Sequence, residues 1–403
     1  MRIIQVHNYY KQAGGEDEVV SAEKAMLIDA GHQVITYYKN NDAISGFRSM
    51  LISSMKTIWN PATVIEFRKL LKKNRPDLVH CHNTFPLISP AIYWACAKEK
   101  IPVVQTLHNY RLLCPSANLF FKGEIYESSI GKLFPWQAVK DRVYRNSRVG
   151  TLVVVSMLFL HRIIGTWKNK VTLYIALTQF QKEKMIEGGL PENLIMVKPN
   201  FISEEPEIMI SDSLNIESNC PILLFVGRLS PEKGCSLLIH AWKKLEKKDK
   251  KQPLLLIAGD GPEKNLLEKL CISLNLKDIR FLGLQSREQI QYLMAKADLL
   301  IFPSLWYEGF PMTIVEALNR GLPVVASNIG SMRSIIVDGI NGFKFKPGDI
   351  DNLADCIKNA LENSNEIKEM RDRMLNKPNP EYKSSGNLES LLQIYKKATL
   401  RVN

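Results

Sequence analysis

Residues 297 to 321 read ADLLIFPSLWYEGFPMTIVEALNRG, and the fold can be read outward from them. ADLLIFPS is a short, nearly continuous apolar run closed by Pro303 and Ser304, the pattern of a strand buried on both faces of a parallel sheet. Gly309 and Pro311 break the extended run. PMTIVEALNRG then begins with proline at an allowed first helical position and ends at Gly321, a stop signal, so a helix is expected there. Glu308 falls in the turn and Glu316 inside the helix. In an open parallel sheet, ligands bind outside the carboxyl ends of the strands, where helix N-termini offer free N–H groups. Two carboxylates at such an edge are candidate ligand groups, although carboxylates on turns and helix faces are most often only solvated.

The same rhythm runs along the chain. RIIQVHN, a helix from about Glu16 to Ala30, HQVITYY, PDLVHCHN, IPVVQTLHN and TLYIALT alternate strand and helix over residues 1–200, which reads as a doubly wound α/β domain. A polar stretch after Pro199 breaks the pattern and marks a linker at 201–220. PILLFVG opens a second series, continued by PLLLIAGDG, IRFLG, ADLLIFPS and LPVVASN, that makes residues 221–380 a second Rossmann-like domain. GNLESLLQIYKKATLRVN closes the chain as an amphipathic helix within 381–403 that could pack back on the first domain. A length of 403 residues exceeds a single ordinary core and fits two domains of roughly 200 residues each. The expected fold class is α/β, two Rossmann-like domains facing a central cleft. No internal repeat or low-complexity tract interrupts it.

Hydrophobic residues at 45% and charged residues at 23% describe an ordinary globular protein and exclude a disordered or fibrous one. The seven cysteines are scattered, with no close pair resembling a metal or redox motif, and fit reduced thiols in a cytoplasmic protein. MRIIQVHNYY enters a strand directly, with no export signal. The longest uncharged apolar run, VGTLVVVSMLFLH between Arg148 and Arg162, is too short to span a membrane and reads as a core helix or an interfacial one. Residues 1–200 carry 26 Lys+Arg against 15 Asp+Glu, a balance of +11, whereas residues 201–403 carry 27 against 26, a balance of +1. Basicity confined to one domain suits an anionic membrane surface or anionic acceptor, and no zinc-finger or helix-turn-helix pattern supports nucleic acid. The stretch FRSMLISSMKTIW sets Phe47, Leu51, Met55 and Ile58 on one helical face, with Arg48 and Lys56 elsewhere, which is a candidate docking helix at the membrane or an ordinary core-packing one.

The second domain concentrates cations and glycines at its strand ends. FVGRLSPEKG places Arg228 just past one strand and Lys233 before the next helix, a fork and a point charge able to hold a diphosphate. AGDGP supplies a glycine turn at the next strand end, and Arg280 precedes the FLG turn, where it could stack on a base. A lone cation near a glycine is weak; four strand-end motifs in one domain are not.

GRLSPEKG, GDGP, FLG and above all EGFPMTIVE together resemble the retaining nucleotide-sugar glycosyltransferases of the GT-B fold, the large fourth family, and the TLHNYRLLCP and GGEDEVV stretches resemble its bacterial polysaccharide-building branch. The resemblance implies that Glu308, with the backbone of Gly309 and Phe310, contacts hydroxyls of the donor sugar, and that Glu316 takes the ribose hydroxyls. It assigns Arg228 and Lys233 to the diphosphate, with Met312 and Thr313 offering backbone N–H groups. In the first domain it raises Gly14 and Gly15 to ligand-facing turn residues and sets His108 near the reacting sugar, with Asn109 where many members have aspartate. His80, His82 and Asn83 in DLVHCHN are candidates for the acceptor side or merely structural. The implied reaction moves a sugar from a nucleoside diphosphate, UDP favoured, to a hydroxyl of a lipid-linked or growing glycan acceptor with retained configuration. A site of this kind needs no divalent metal, so no metal or other cofactor is expected. An epimerase of the same architecture, which would act on donor without acceptor, and a non-catalytic subunit of a polysaccharide assembly complex are the alternatives.

Overall fold

A computed structural model describes residues 1–9, 15–40, 55–202, 220–245 and 253–402. The chain divides into two compact units: Met1–Phe121, Tyr126–Ser203 and Pro380–Asn403 in the first, Lys122–Ile125 and Glu204–Asn379 in the second.

In the first unit, six parallel strands are found among the described residues: β1 (Arg2–Tyr9), β2 (Gln33–Asn40), β3 (Leu78–Cys81), β4 (Val103–Leu107), β5 (Leu173–Ala176) and β6 (Ile195–Val197). Their spatial order is β2-β1-β3-β4-β5-β6, so the direction of winding reverses between β1 and β3. The central strands β3 and β5 are buried at every position and β4 at all but Gln105, so both faces of the sheet are covered there. Between β1 and β2 lies α1 (Gly15–Asp29), whose buried face includes Val20, Glu23 and Leu27. The helix α2 (Arg148–Ile163) starts at Ser147, whose hydroxyl accepts from the Gly150 N–H. It buries Val154, Val155, Leu158 and His161 yet leaves Val149, Leu152 and Ile163 exposed, so this run is a core helix on one face and carries an uncovered apolar stripe on the other.

The second unit holds β7 (Ile222–Val226), β8 (Leu254–Ala258), β9 (Ile279–Gly283), β10 (Leu299–Phe302), β11 (Val324–Ser327) and β12 (Gly342–Phe345), all parallel and ordered β9-β8-β7-β10-β11-β12. Here the winding reverses between β7 and β10. Two apolar clusters cover the two sheet faces, one around Leu238, Trp242 and Ile357 and the other around Leu293, Ile314 and Ile336. The helix α3 (Cys235–Lys244) follows β7, and α4 (Met312–Asn319) follows β10 with Pro311 as its N-cap residue rather than its first helical one.

The final helix, α5 (Ser384–Leu400), belongs to the first unit. Leu391, Ile394, Tyr395 and Ala398 pack in one cluster with Ile3, Leu27, Leu78 and Val104. The edge strands β6 and β12 are only three and four residues long, and the sequence pattern passes over both. Gly14, Phe47, Arg48, Leu51 and most of the 201–220 segment lie outside the described residues. Of the FRSMLISSMKTIW stretch, Met55 and Lys56 are exposed.

Candidate active site

At the reversal point of the second sheet, two loops meet. After β7 the chain makes a short turn at Pro231–Lys233, and Gly234 takes φ +69° before α3. A Cβ on Gly234 would stand 2.1 Å from the Pro303 carbonyl oxygen, so glycine is what lets this loop lie against the backbone that follows β10. The Leu305 N–H donates to the Glu232 carbonyl at 2.8 Å and stitches the two loops together. The result places the Lys233 ammonium 2.7 Å from Glu308 Oε1, which also accepts from the Ser304 hydroxyl at 2.8 Å. The Glu308 backbone carbonyl accepts from Ser331 Oγ at 3.0 Å. Glu308 is 6% exposed, and Lys233 lies over the rings of Phe302 and Trp306.

A pair this nearly buried is weak as a device for stability, because desolvating two charges offsets most of their attraction. Its chemistry is more telling: an ammonium that can exchange its carboxylate for phosphate oxygens, and a carboxylate that can then accept sugar hydroxyls. Glu316 projects from the second turn of α4, half-buried, and Met312 and Thr313 occupy the first turn, where N–H groups lack helical partners. Gly309 and Phe310 lie in the connecting turn. Arg228 is exposed just past β7. Arg280 does not join this group: it is the second residue of the five-residue β9, exposed, and three residues, or roughly 10 Å, short of the carboxyl end where the others gather.

The first unit repeats the plan with buried groups. At its reversal point, His7 near the end of β1 holds Asp17 at 2.7 Å, and burial lowers the His7 pKa although Asp17 opposes it. Glu16, in the first turn of α1, is 3.8 Å from His7, and burial, with Asp17 beside it, pushes its pKa up to about 8. Among the described residues, a Cβ on Gly15 would meet no atom within 4 Å. His82 and His108 are joined, Nδ1 to Nε2, at 3.0 Å, and with Asn83, Asn109 and Arg111 they line one pocket of this unit. Asn83 donates to the Asn8 carbonyl at 3.0 Å, and its Oδ1 accepts from the Phe85 N–H. His80 faces inward, fully buried, bonded to Thr106 and Tyr395.

Two family models match the chain. Residues 13–205 match Glycosyltransferase Family 4, and residues 208–377 match Glycosyl transferases group 1. The chain belongs to the family 4 type of GT-B glycosyltransferases. An uncharacterized glycosyltransferase of Methanocaldococcus jannaschii is 26% identical over 81% of this chain and 80% of its own. The UDP-Gal:alpha-D-GlcNAc-diphosphoundecaprenol alpha-1,3-galactosyltransferase of Escherichia coli is 27% identical over 80% of this chain and 76% of that one. Among solved structures, a glycosyltransferase of Rickettsia africae superposes with a TM-score of 0.70 at 20% identity, covering 98% of each chain. Anabaena HepE in complex with UDP superposes with a TM-score of 0.67 at 18% identity, covering 98% of this chain and 100% of that one. At these identities the structures establish the GT-B fold of this glycosyltransferase. Its relatives place it among enzymes of glycan and polysaccharide biosynthesis.

Sequence reasoning missed Ser304, Glu16, Asp17 and Glu23. Ser304 ends the apolar run and carried a positional signal. The three acids stand on a helix whose charged residues look solvated from sequence alone.

Proposed function

We propose that this glycosyltransferase moves a sugar from a nucleoside-diphosphate sugar, most simply a UDP-sugar, to a hydroxyl of a lipid-linked or growing glycan acceptor, with the anomeric configuration retained. The observation that carries the reading is the Lys233–Glu308 pair at the reversal point of the second sheet. In this reading the donor displaces that pair: Lys233 and Arg228 take the diphosphate, and Glu308, with the backbone of Gly309 and Phe310, takes the sugar hydroxyls. Glu316 holds the ribose, and Met312 and Thr313 lend N–H groups. His108 lies beside the reacting sugar, with Gly15 at the donor and His82, Asn83 and Gly14 on the acceptor side. No side chain is assigned as nucleophile. The leaving phosphate takes the acceptor proton in a front-face displacement, and the two cations stabilise the negative charge that develops on it. The cations do this without a divalent metal.

A lipid-linked acceptor is supported by the surface of the first unit. Val149, Leu152 and Ile163 form the exposed stripe of α2, and Leu133 and Trp136 are exposed on the segment tied to it by the Arg162 bond to the Leu133 carbonyl. Lys132, Lys140, Arg145 and Arg148 are exposed on the same segments. Apolar anchors beside cations are what an anionic bilayer surface attracts, at about 1 kcal/mol per basic residue near it. No helix among the described residues is long and apolar enough to cross a membrane.

The test is a thermal-shift screen of nucleotide sugars followed by transfer of a labelled sugar from the best stabiliser to lipid-diphosphate glycans, with the product anomer read by NMR. Stabilisation and a retained anomer are expected. Sugar-nucleotide conversion without any acceptor, or an inverted anomer, overturns the reading.

A further inference from the structure

Behind His108 the first unit carries a polar chain that the transfer reaction, as described, does not use. Glu23 on α1 is 2% exposed, and its Oε1 lies 2.9 Å from His80 Nδ1 and 3.1 Å from His82 Nε2. Its other oxygen is 3.9 Å from the ammonium of Lys198, which is 3% exposed and donates to Asn387 Oδ1 at 2.7 Å. His82 Nδ1 is in turn 3.0 Å from His108 Nε2. A single carboxylate therefore stands at the head of a line that ends at the residue beside the reacting sugar.

We propose that Glu23 is a positioning residue of this glycosyltransferase, which fixes the tautomer of His82 and through it that of His108. The inference rests on the reading of His108 as a neighbour of the reacting sugar. The carboxylate accepts and cannot donate, so His82 carries its proton on Nε2. His82 Nδ1 is then a lone pair, and it accepts from His108 Nε2–H. His108 is left with a lone pair on Nδ1, an acceptor for a substrate hydroxyl. Gln5 Nε2 also lies 3.2 Å from His82 Nε2, but that amide donates to the Val20 carbonyl and its oxygen accepts from Tyr38. A bond to the charged carboxylate outweighs that neutral contact.

The surroundings keep the line in this state. Burial holds the His82 pKa down to about 4 and that of His108 well below its usual value, so both rings are neutral at pH 7 and a tautomer is defined. The groups facing them from neighbouring elements are His7 and Gln5 on β1, Tyr38 on β2, His80 on β3, Lys198 after β6 and Tyr395 on α5. Burial alone would raise the Glu23 pKa, yet the imidazoles bring it well below the usual carboxylate value. Glu23, His80 and His82 also present three metal-ligating atoms within 4.8 Å of one another. The Lys198 charge beside that carboxylate argues against a cation there.

The test combines NMR and kinetics on the full chain. With 15N-histidine labelling, and assignment by His82→Gln and His108→Gln, both rings are expected to be protonated on Nε2 at pH 7. Glu23→Gln is expected to mix or reverse the His108 tautomer and to lower kcat on the order of 10- to 100-fold, with the donor KM within about threefold. His108 protonated on Nδ1 in the parent chain, or an unchanged tautomer and kcat in a folded Glu23→Gln variant, overturns the proposal. So does zinc that copurifies with the parent chain and is absent from the variant. Should Glu23→Gln fail to fold, the parent tautomers still decide. The NMR arm needs no substrate: its failure leaves the transferase reading standing, whereas expected tautomers without transfer from any nucleotide sugar fail that reading instead.

Discussion

The two units place charged groups at the same point of the same kind of sheet and treat them oppositely. In the second unit, Lys233 and Glu308 pair at 2.7 Å with the lysine side chain 21% accessible, so a polyanion can compete for it. In the first, Glu23, His80, His82 and Lys198 are nearly inaccessible, and they serve one another. The difference teaches that one architecture can supply a site in two ways. In the second unit the charge lies where a ligand can reach it, and in the first it lies inside, in line with His108.

The sharpest way to break this comparison is to remove the exposed cation. Lys233→Ala is expected to lower kcat/KM on the order of 10²-fold or more, the cost of losing one charge-stabilising donor, measured by transfer from a nucleotide sugar. An unchanged rate in the folded variant would deny the second unit its role. Glu308→Gln keeps the shape and removes the charge. It is expected to lower kcat about tenfold or more while the affinity for the free nucleoside diphosphate stays within about threefold, since its assigned contacts are to the sugar.

Stability against pH sharpens the comparison, because the shifted histidines are all in the first unit. Burial brings His82 and His161 to about 4 from 6.5, so between those values the unfolded chain binds more protons and stability is lost as pH falls. Each such proton contributes a slope of about 1.4 kcal/mol per pH unit at most. Glu16 has the opposite sign: raised to about 8 from 4.5, it is protonated in the folded chain and costs stability as pH rises through that range. Urea midpoints should fall below pH 6.5, and Glu16→Gln should flatten the decline between pH 7 and 8. A parent and variant with the same alkaline slope would remove Glu16 from the account.

The smallest expected effect concerns the membrane. Replacing Leu152 and Ile163 by Ser should weaken co-sedimentation with anionic vesicles several-fold, and rising salt should weaken it in the parent chain, since exposed charges are screened over roughly 10 Å at 0.1 M salt. Failure of the parent to co-sediment at low salt would leave an enzyme acting on a soluble acceptor.

Much of this was legible in the sequence. The buried parallel strands announced themselves as unbroken apolar runs, and ADLLIFPS with EGFPMTIVE located the strand, turn and helix that carry Glu308 and Glu316, with the helix beginning one residue later than proline suggested. The cation–carboxylate pairing of Lys233 and Glu308, 75 residues apart, was not legible, because it depends on Gly234 letting two loops touch. Arg280 was set at a strand end because FLG reads as a turn, whereas Phe281–Gly283 are the last three residues of β9. Glu23 escaped for a different reason: on an amphipathic helix a glutamate reads as solvent-facing, and only the three-dimensional meeting of α1 with β3 shows that it faces two histidines. His80 and His82, singled out as acceptor-side candidates or structural residues, divide between the two: His80 is wholly interior, and His82 lines the pocket beside His108.

The central claim is that the reversal point of the second sheet holds the nucleoside diphosphate. Calorimetric titration of UDP, and of GDP in parallel, into the parent chain, Lys233→Ala and Glu316→Ala tests it most directly. Binding of one nucleotide to the parent, weakened about tenfold or more in each variant, is the expected result. Equal affinity in all three folded chains, or no binding of any nucleoside diphosphate to the parent, would contradict it.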